Sequence, residues 1–188
     1  MKSVDTLREE HEGVLTVLDN LERAGRAAQR GAALPREVFA DIQEFFAVFV
    51  DRCHHGKEEA EIFPRLLGGP HAGLVDRLEQ DHVKGRALAR AYAQAVQDYQ
   101  PGDAAGGGRV AAAAREYSAF LREHIALETS DLFPAMKSIE AEDGAMSEAF
   151  ERIEEERIGP GTHERLHAMI AGLPARIRPF TTTRLGPA

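Results

Sequence analysis

Apolar residues recur along this chain at intervals of three and four. Leu7, Val14, Leu15, Leu18 and Leu21 form one series, and Val38, Ile42, Phe45, Phe46, Phe49 and Val50 form the next. That spacing gives one apolar stripe per helix, with none of the strict alternation that marks a half-buried strand. The breaks are punctuated by glycine and proline: GAALP at residues 31–35, LLGGP at 66–70, and PGDAAGGG at 101–108, which reads as a looser, flexible loop. Four long helices are predicted, over residues 4–29, 36–67, 71–100 and 109–140, with His71 at the start of the third. A shorter helix over 146–157 follows, and RPFTTTRLGPA at the end reads as a loose tail. Short connections make long helices antiparallel neighbours. The expected fold is therefore all-α: an antiparallel up-down-up-down four-helix bundle over residues 1–140, and a short C-terminal helical extension with its tail over 141–188.

Composition supports this reading and narrows the partners. Tryptophan is absent, aromatics make up 6%, and β-branched runs are missing. A length of 188 residues suits one compact domain. Asp and Glu number 31 against 23 Lys and Arg, a net charge of -8, which argues against nucleic acid or an anionic membrane as partner. Cys53 is the only cysteine, so an internal disulfide and a thiol-only metal site are excluded. With a polar start, MKSVDTLREEHEG, and no long apolar run, the expected location is the cytoplasm.

An internal repeat carries the chemistry. CHHGKEEAEIFP and EHIALETSDLFP share the pattern H-x-x-x-E-x-x-x-x-F-P, with His54, Glu58, Phe63 and Pro64 in the first and His124, Glu128, Phe133 and Pro134 in the second. Upstream, LREEH ends at His11, 43 residues before His54, and LEQDH ends at His82, 42 residues before His124. In an antiparallel hairpin, residues equally far from the turn lie at one level. The midpoints between successive histidines of this set fall at 32–33, 68 and 103, inside the three breaks. All four histidines are thus predicted in one layer, with Glu58 and Glu128 one turn away on the same helix faces. Val50 and Phe120, four residues before His54 and His124, make those faces otherwise apolar.

Six ionisable side chains converging in an apolar interior are costly without a compensating partner. A divalent metal supplies it, and two carboxylates among four histidines suit a pair of ions. Imidazole and carboxylate ligation without thiolate favours iron, ahead of manganese or zinc.

The marks LREEH, HHGKEEAEIFP, LEQDH and HIALETSDLFP, in this order over about residues 1–140, resemble the hemerythrin-like proteins of the HHE cation-binding family. The resemblance implies a non-haem centre of two iron ions in a four-helix bundle. In it Glu58 and Glu128 would bridge, His11 and His54 would serve one iron, and His82 and His124 the other. Oxygen-carrying hemerythrins present two ligand histidines four residues apart on the third helix, whereas here Leu78 and Arg86 flank His82 at that spacing. A ligand is therefore missing or comes from elsewhere. The expected function is binding of dioxygen or a related small oxidant, peroxide or nitric oxide. Alternatives are iron handling or sensing, peroxide decomposition, and repair of iron-sulfur centres, although the repair proteins carry a cysteine-bearing N-terminal extension and this chain begins at the first helix.

Neighbouring residues read as less central. His55 lies about 100° round an α-helix from His54 and is expected at a helix boundary or in solvent, and Glu59 has the same offset from Glu58. Cys53 reads as a packing residue. Tyr117, seven residues before His124 on one face, reads equally as a hydrogen-bond donor to the metal cavity or as a core tyrosine. His163 and His167 sit at ligand spacing, and the helix that carries them is expected to pack on the bundle as an amphipathic surface helix.

Overall fold

The structure, a computed structural model, describes residues 1–181. Helix α1 spans Lys2–Gln29, α2 residues 36–66, α3 Ala72–Gln97 and α4 residues 104–135. A 3-10 segment, Met136–Glu142, bends at Ile139 (φ −117°, ψ 18°) and leads into α5, residues 143–158, and α6, Thr162–Thr181. No strand occurs among the described residues.

Several boundaries differ from the sequence reading, among them the end of the fourth helix, predicted at 140 and found at 135 where the 3-10 segment begins. The glycine-rich segment is not a loose loop, because α4 begins five residues earlier than expected, at Ala104. The Asp103 side chain accepts the backbone N–H groups of Ala105 and Gly106, both at 2.9 Å, and caps the helix. Gly107 then lies so close to α1 that a Cβ there would come 2.2 Å from the carbonyl oxygen of Ala28. Gly107 thus serves close approach of two helices, not flexibility. At the other end, part of the expected tail is helical as far as Thr181, and residues 182–188 lie outside the described residues.

Two apolar cores sit at opposite ends of the bundle. The larger includes Val14, Leu18, Phe39, Phe45, Val50 and Leu121. The smaller includes Leu7, Ile62, Phe63, Leu78, Leu132 and Phe133. On each of α1, α2 and α4 the residues between these two sets are the histidines and glutamates of the repeat, so a polar layer is closed between two dry ones. The C-terminal helices complete both cores: Met146 and Phe150 of α5 join the smaller, and Leu166, Ile170, Leu173 and Ile177 of α6 join the larger.

The repeat's F-P ending has a backbone consequence. Proline has no N–H to donate, and its ring crowds the carbonyl four residues back. In both copies the turn before it widens: the Phe63 N–H reaches back five residues to the Glu58 carbonyl, and the Phe133 N–H to that of Glu128. A third widened stretch, Phe46–His54, closes with the His55 N–H on the Val50 carbonyl. Such π turns collect at functional sites.

Candidate metal centre

His11, His54, Glu58, His82, His124 and Glu128 all converge in the layer between the cores, and all are buried. Each carboxylate spans the layer. Glu128 places Oε2 3.0 Å from His11 Nε2 and Oε1 2.8 Å from His124 Nε2. Glu58 places Oε1 3.8 Å from His54 Nε2 and Oε2 3.3 Å from His82 Nε2. Each glutamate thus turns one oxygen toward the pair His11 and His54 and the other toward the pair His82 and His124. The two phenylalanines of the repeat cross over in the same way. The Phe133 ring stacks on His11, centroids 5.3 Å apart, and Phe63 lies against His82 at 5.4 Å.

These short approaches are not hydrogen bonds. Both oxygens of Glu58 and of Glu128, His82 Nε2, and both ring nitrogens of His55 and His124 are buried without a hydrogen-bond partner, as is His11 Nδ1. Apart from Ser118 Oγ, every such orphan side-chain atom among the described residues belongs to this layer. Each leaves about 1–3 kcal/mol uncompensated, and together that rivals the 5–15 kcal/mol or so by which a whole domain is stable. A cation explains the arrangement. Two atoms held at right angles on one ion by bonds of about 2.1 Å lie about 3 Å apart, with lone pairs aimed at the ion and not at each other. The donor set fits divalent metal.

His55 corrects the sequence reading. It is buried, its ring is stacked on that of His82 with centroids 3.9 Å apart, and it groups with Glu58, His82 and His124 within reach of one ion. The other group is His11, His54 and Glu128. The 100° offset that turned His55 outward assumes an α-helix; the widened turns of Phe46–His54 reduce that angle and bring both histidines inside. The sign available in the sequence was the doubling of apolar positions, Phe45 with Phe46 and Phe49 with Val50, which is broader than one stripe.

A shell of carboxylates orients the imidazoles. His54 Nδ1 donates to Glu10 Oε2 at 2.7 Å, and His82 Nδ1 to Glu59 Oε1 at 2.8 Å, which leaves each Nε2 facing the layer. Asp51 Oδ1 lies 3.7 Å from His55 Nδ1, and Asp81 Oδ2 3.8 Å from His124 Nδ1. Arg86 ties Asp51 and Glu59 together at 2.6 and 2.7 Å. Glu59 is therefore a partner of an imidazole and lies outside both groups. Glu10 went unnoticed in the sequence, and its position beside His11 in LREEH was the available signal.

Charge follows this geometry. Burial opposes ionisation of His82, but the carboxylates of Glu128, Glu58 and Glu59 outweigh it and push the imidazole up to about 11. For His54, burial is likewise outweighed by Glu58, Glu10 and Glu128, and the value rises to about 9. His55 behaves oppositely: burial and the neighbouring imidazoles outweigh Asp51 and push it down to about 3, which keeps it neutral, the state in which imidazole ligates. Burial favours protonated Glu10, yet His54 and Lys57 hold its carboxyl down to about 2.

The remaining candidates lie outside both groups. Cys53 is a buried thiol, pushed up to about 12 by burial. His163 and His167 pack on Phe49, on the far side of Glu10. His163 does approach Glu10 and Glu154, but the Lys57 ammonium already bridges those two carboxylates. Tyr117 lines a cavity of about 210 Å³ between α2 and α3, walled by Phe46, Ala47, Ala89 and Tyr92 and ending on His55. A second, enclosed cavity of about 10 Å³ touches His11, His54, His55 and His124 under a cover of Val14, Val50, Leu121 and Ile125.

A family model described as the hemerythrin HHE cation binding domain matches residues 2–136. No curated protein and no solved structure matches the chain.

Proposed function

The chain belongs to the hemerythrin HHE cation-binding family, and from that premise we propose that it is a non-haem di-iron protein that binds dioxygen or a related small oxidant, peroxide or nitric oxide. The observation that carries this reading is the set of orphaned lone pairs closed between two dry cores, with Glu58 and Glu128 each turning one oxygen to each pair of histidines. That disposition suits two ions bridged by carboxylates, with His11 and His54 on one and His82, His124 and His55 on the other. Donors limited to imidazole and carboxylate favour iron over softer or all-oxygen choices. Iron there would supply a redox-active centre able to take an external ligand.

The chain's own residues support a small external ligand. Leu78 and Arg86 stand four residues before and after His82, the two positions from which a second histidine of the third helix could join it, and Arg86 is committed to Asp51 and Glu59. His55 supplies an imidazole from α2 instead. The enclosed cavity has room for about one water-sized molecule, and its cover is wholly aliphatic. A ligand of very few atoms suits so small a space. The larger cavity reaches His55, with apolar walls of Phe46, Ala89 and Tyr92 and the charged side chains of Asp51, Arg86 and Arg90 also on its lining.

The up-down-up-down path, residues 1–140 as the metal-binding unit with 141–188 as its extension, and a cytoplasmic setting belong to the same reading. Its supports are the pairing of α1 residues near His11 with α2 residues near His54 and a lone buried thiol. None of the described helices is long and apolar enough to cross a membrane.

The test is direct. Protein purified in air from iron-fed cells is expected to carry about two irons per chain. Its visible absorption should bleach with dithionite and return with oxygen or peroxide. One zinc, or no metal, would overturn the proposal.

A further inference from the structure

Lys57 is fully buried between the metal layer and the C-terminal helices. Its ammonium meets Glu10 Oε1 of α1 on one side and Glu154 Oε1 of α5 on the other. Glu10 uses its second oxygen, Oε2, to accept from His54 Nδ1 at 2.7 Å. A continuous chain therefore runs Glu154, Lys57, Glu10, His54, and it begins beyond residues 2–136, the part of the chain matched by the family model.

The second copy of the repeat has no such chain. The position equivalent to Lys57, three residues after the histidine, is Leu127, and the position equivalent to Glu10 is Asp81. Asp81 is one methylene shorter and stays 3.8 Å from His124 Nδ1, where Glu10 reaches His54 at 2.7 Å. The two halves share their inward-facing residues and differ in what stands behind them.

We propose that Glu154 is a positioning residue for the metal centre: through Lys57 it governs how firmly the Glu10 carboxylate holds His54 Nδ1, so the C-terminal extension tunes one metal position and leaves the other untouched. The inference rests on the reading of His54 as a ligand. Its chemistry is a division of charge. Shared between two carboxylates, the ammonium leaves Glu10 a strong acceptor for the His54 Nδ1–H, and a strong acceptor there makes Nε2 a better donor to metal. Without the Glu154 charge, the whole ammonium falls on Glu10 and weakens that effect.

The experiment uses the full chain, stripped of metal and titrated anaerobically with Fe(II). Glu154→Gln keeps the shape of a half-exposed side chain and removes only its charge. It is expected to weaken one of two equivalents about tenfold, at the lower end of the range known for outer partners of metal-bound histidine, and to leave the other equivalent and the thermal midpoint in place. In Mössbauer spectra of the ⁵⁷Fe-loaded variant, the parameters of one iron should move and those of the other stay. Unchanged titration and spectra would overturn the inference, and so would equal weakening of both equivalents with a lowered midpoint, which is the mark of a structural role. His54→Ala separates the two levels: if it retains both equivalents, the assignment of His54 fails. If it loses one while Glu154→Gln changes nothing, only the role of Glu154 fails.

Discussion

The imidazole of His55 touches no hydrogen-bond partner although it is buried, lies parallel to His82, and is kept neutral by its surroundings. Those are the properties of a ligand, and they bear on the histidine that is lacking on α3. On the proposed di-iron reading, His55→Ala is therefore expected to lower iron content from about two per chain toward one, with loss at the His82 and His124 position. Metal analysis of the purified variant checks this, and retention of two irons would show His55 to be a packing residue. His54, Glu58, His124 and Glu128 were legible in the sequence because each has a counterpart in the other copy, and His11 and His82 because their spacing matches the loops. His55 has no counterpart, since its equivalent is Ile125. Its orientation depends on a local change of helix type that hydrophobic periodicity does not reveal. Glu10 was hidden for a different reason: a glutamate in LREEH looks like any solvated helix residue until Lys57 and His54 close over it.

Within the elements, the spacing of apolar residues located the four long helices, and the errors gathered where glycine or proline serves packing. Three consecutive glycines, Gly106 to Gly108, suggested a loop because composition does not distinguish freedom from closeness. The structure separates their roles. A Cβ on Gly107 would strike the Ala28 carbonyl at 2.2 Å, whereas a Cβ on Gly108 meets nothing within 4 Å. Gly107→Ala is expected to force α1 from α4 and destabilise the protein by about 1–3 kcal/mol, the usual range for overpacking. Gly108→Ala should be neutral, or stabilising by up to about 1 kcal/mol, because alanine favours the helix. Denaturant midpoints of the pair check both. Equal, small effects would mean that α1 and α4 do not approach so closely. The prolines show the converse, since Pro64 and Pro134 widen the turns that carry Glu58 and Glu128, and the F-P ending of the repeat reads as part of the site.

At the level of the whole molecule, the duplicated helix pair makes a nearly symmetric centre in which each copy completes the other: Phe133 and Glu128 reach His11, and Phe63 and Glu58 reach His82. Neither helix pair closes its own layer, so metal and fold are coupled. The bundle has apolar cores on both sides that hold it together without metal, but the layer between them then keeps two carboxylates and several imidazoles with few partners. Metal removal should therefore leave a folded protein of lower stability, not an unfolded one. Two ions, each present at about a hundred times its dissociation constant, contribute about 2.7 kcal/mol apiece. At roughly 2–4 °C per kcal/mol for a chain of this size, the thermal midpoint should fall by about 10–20 °C on chelation and recover with Fe(II). Hydrogen exchange should show the loss of protection concentrated in residues 54–62 and 124–132, while the larger core around Phe39 and Leu18 keeps its protection. A midpoint that chelation does not move would mean that the buried layer is satisfied without metal, and that the orphaned atoms find partners other than a cation.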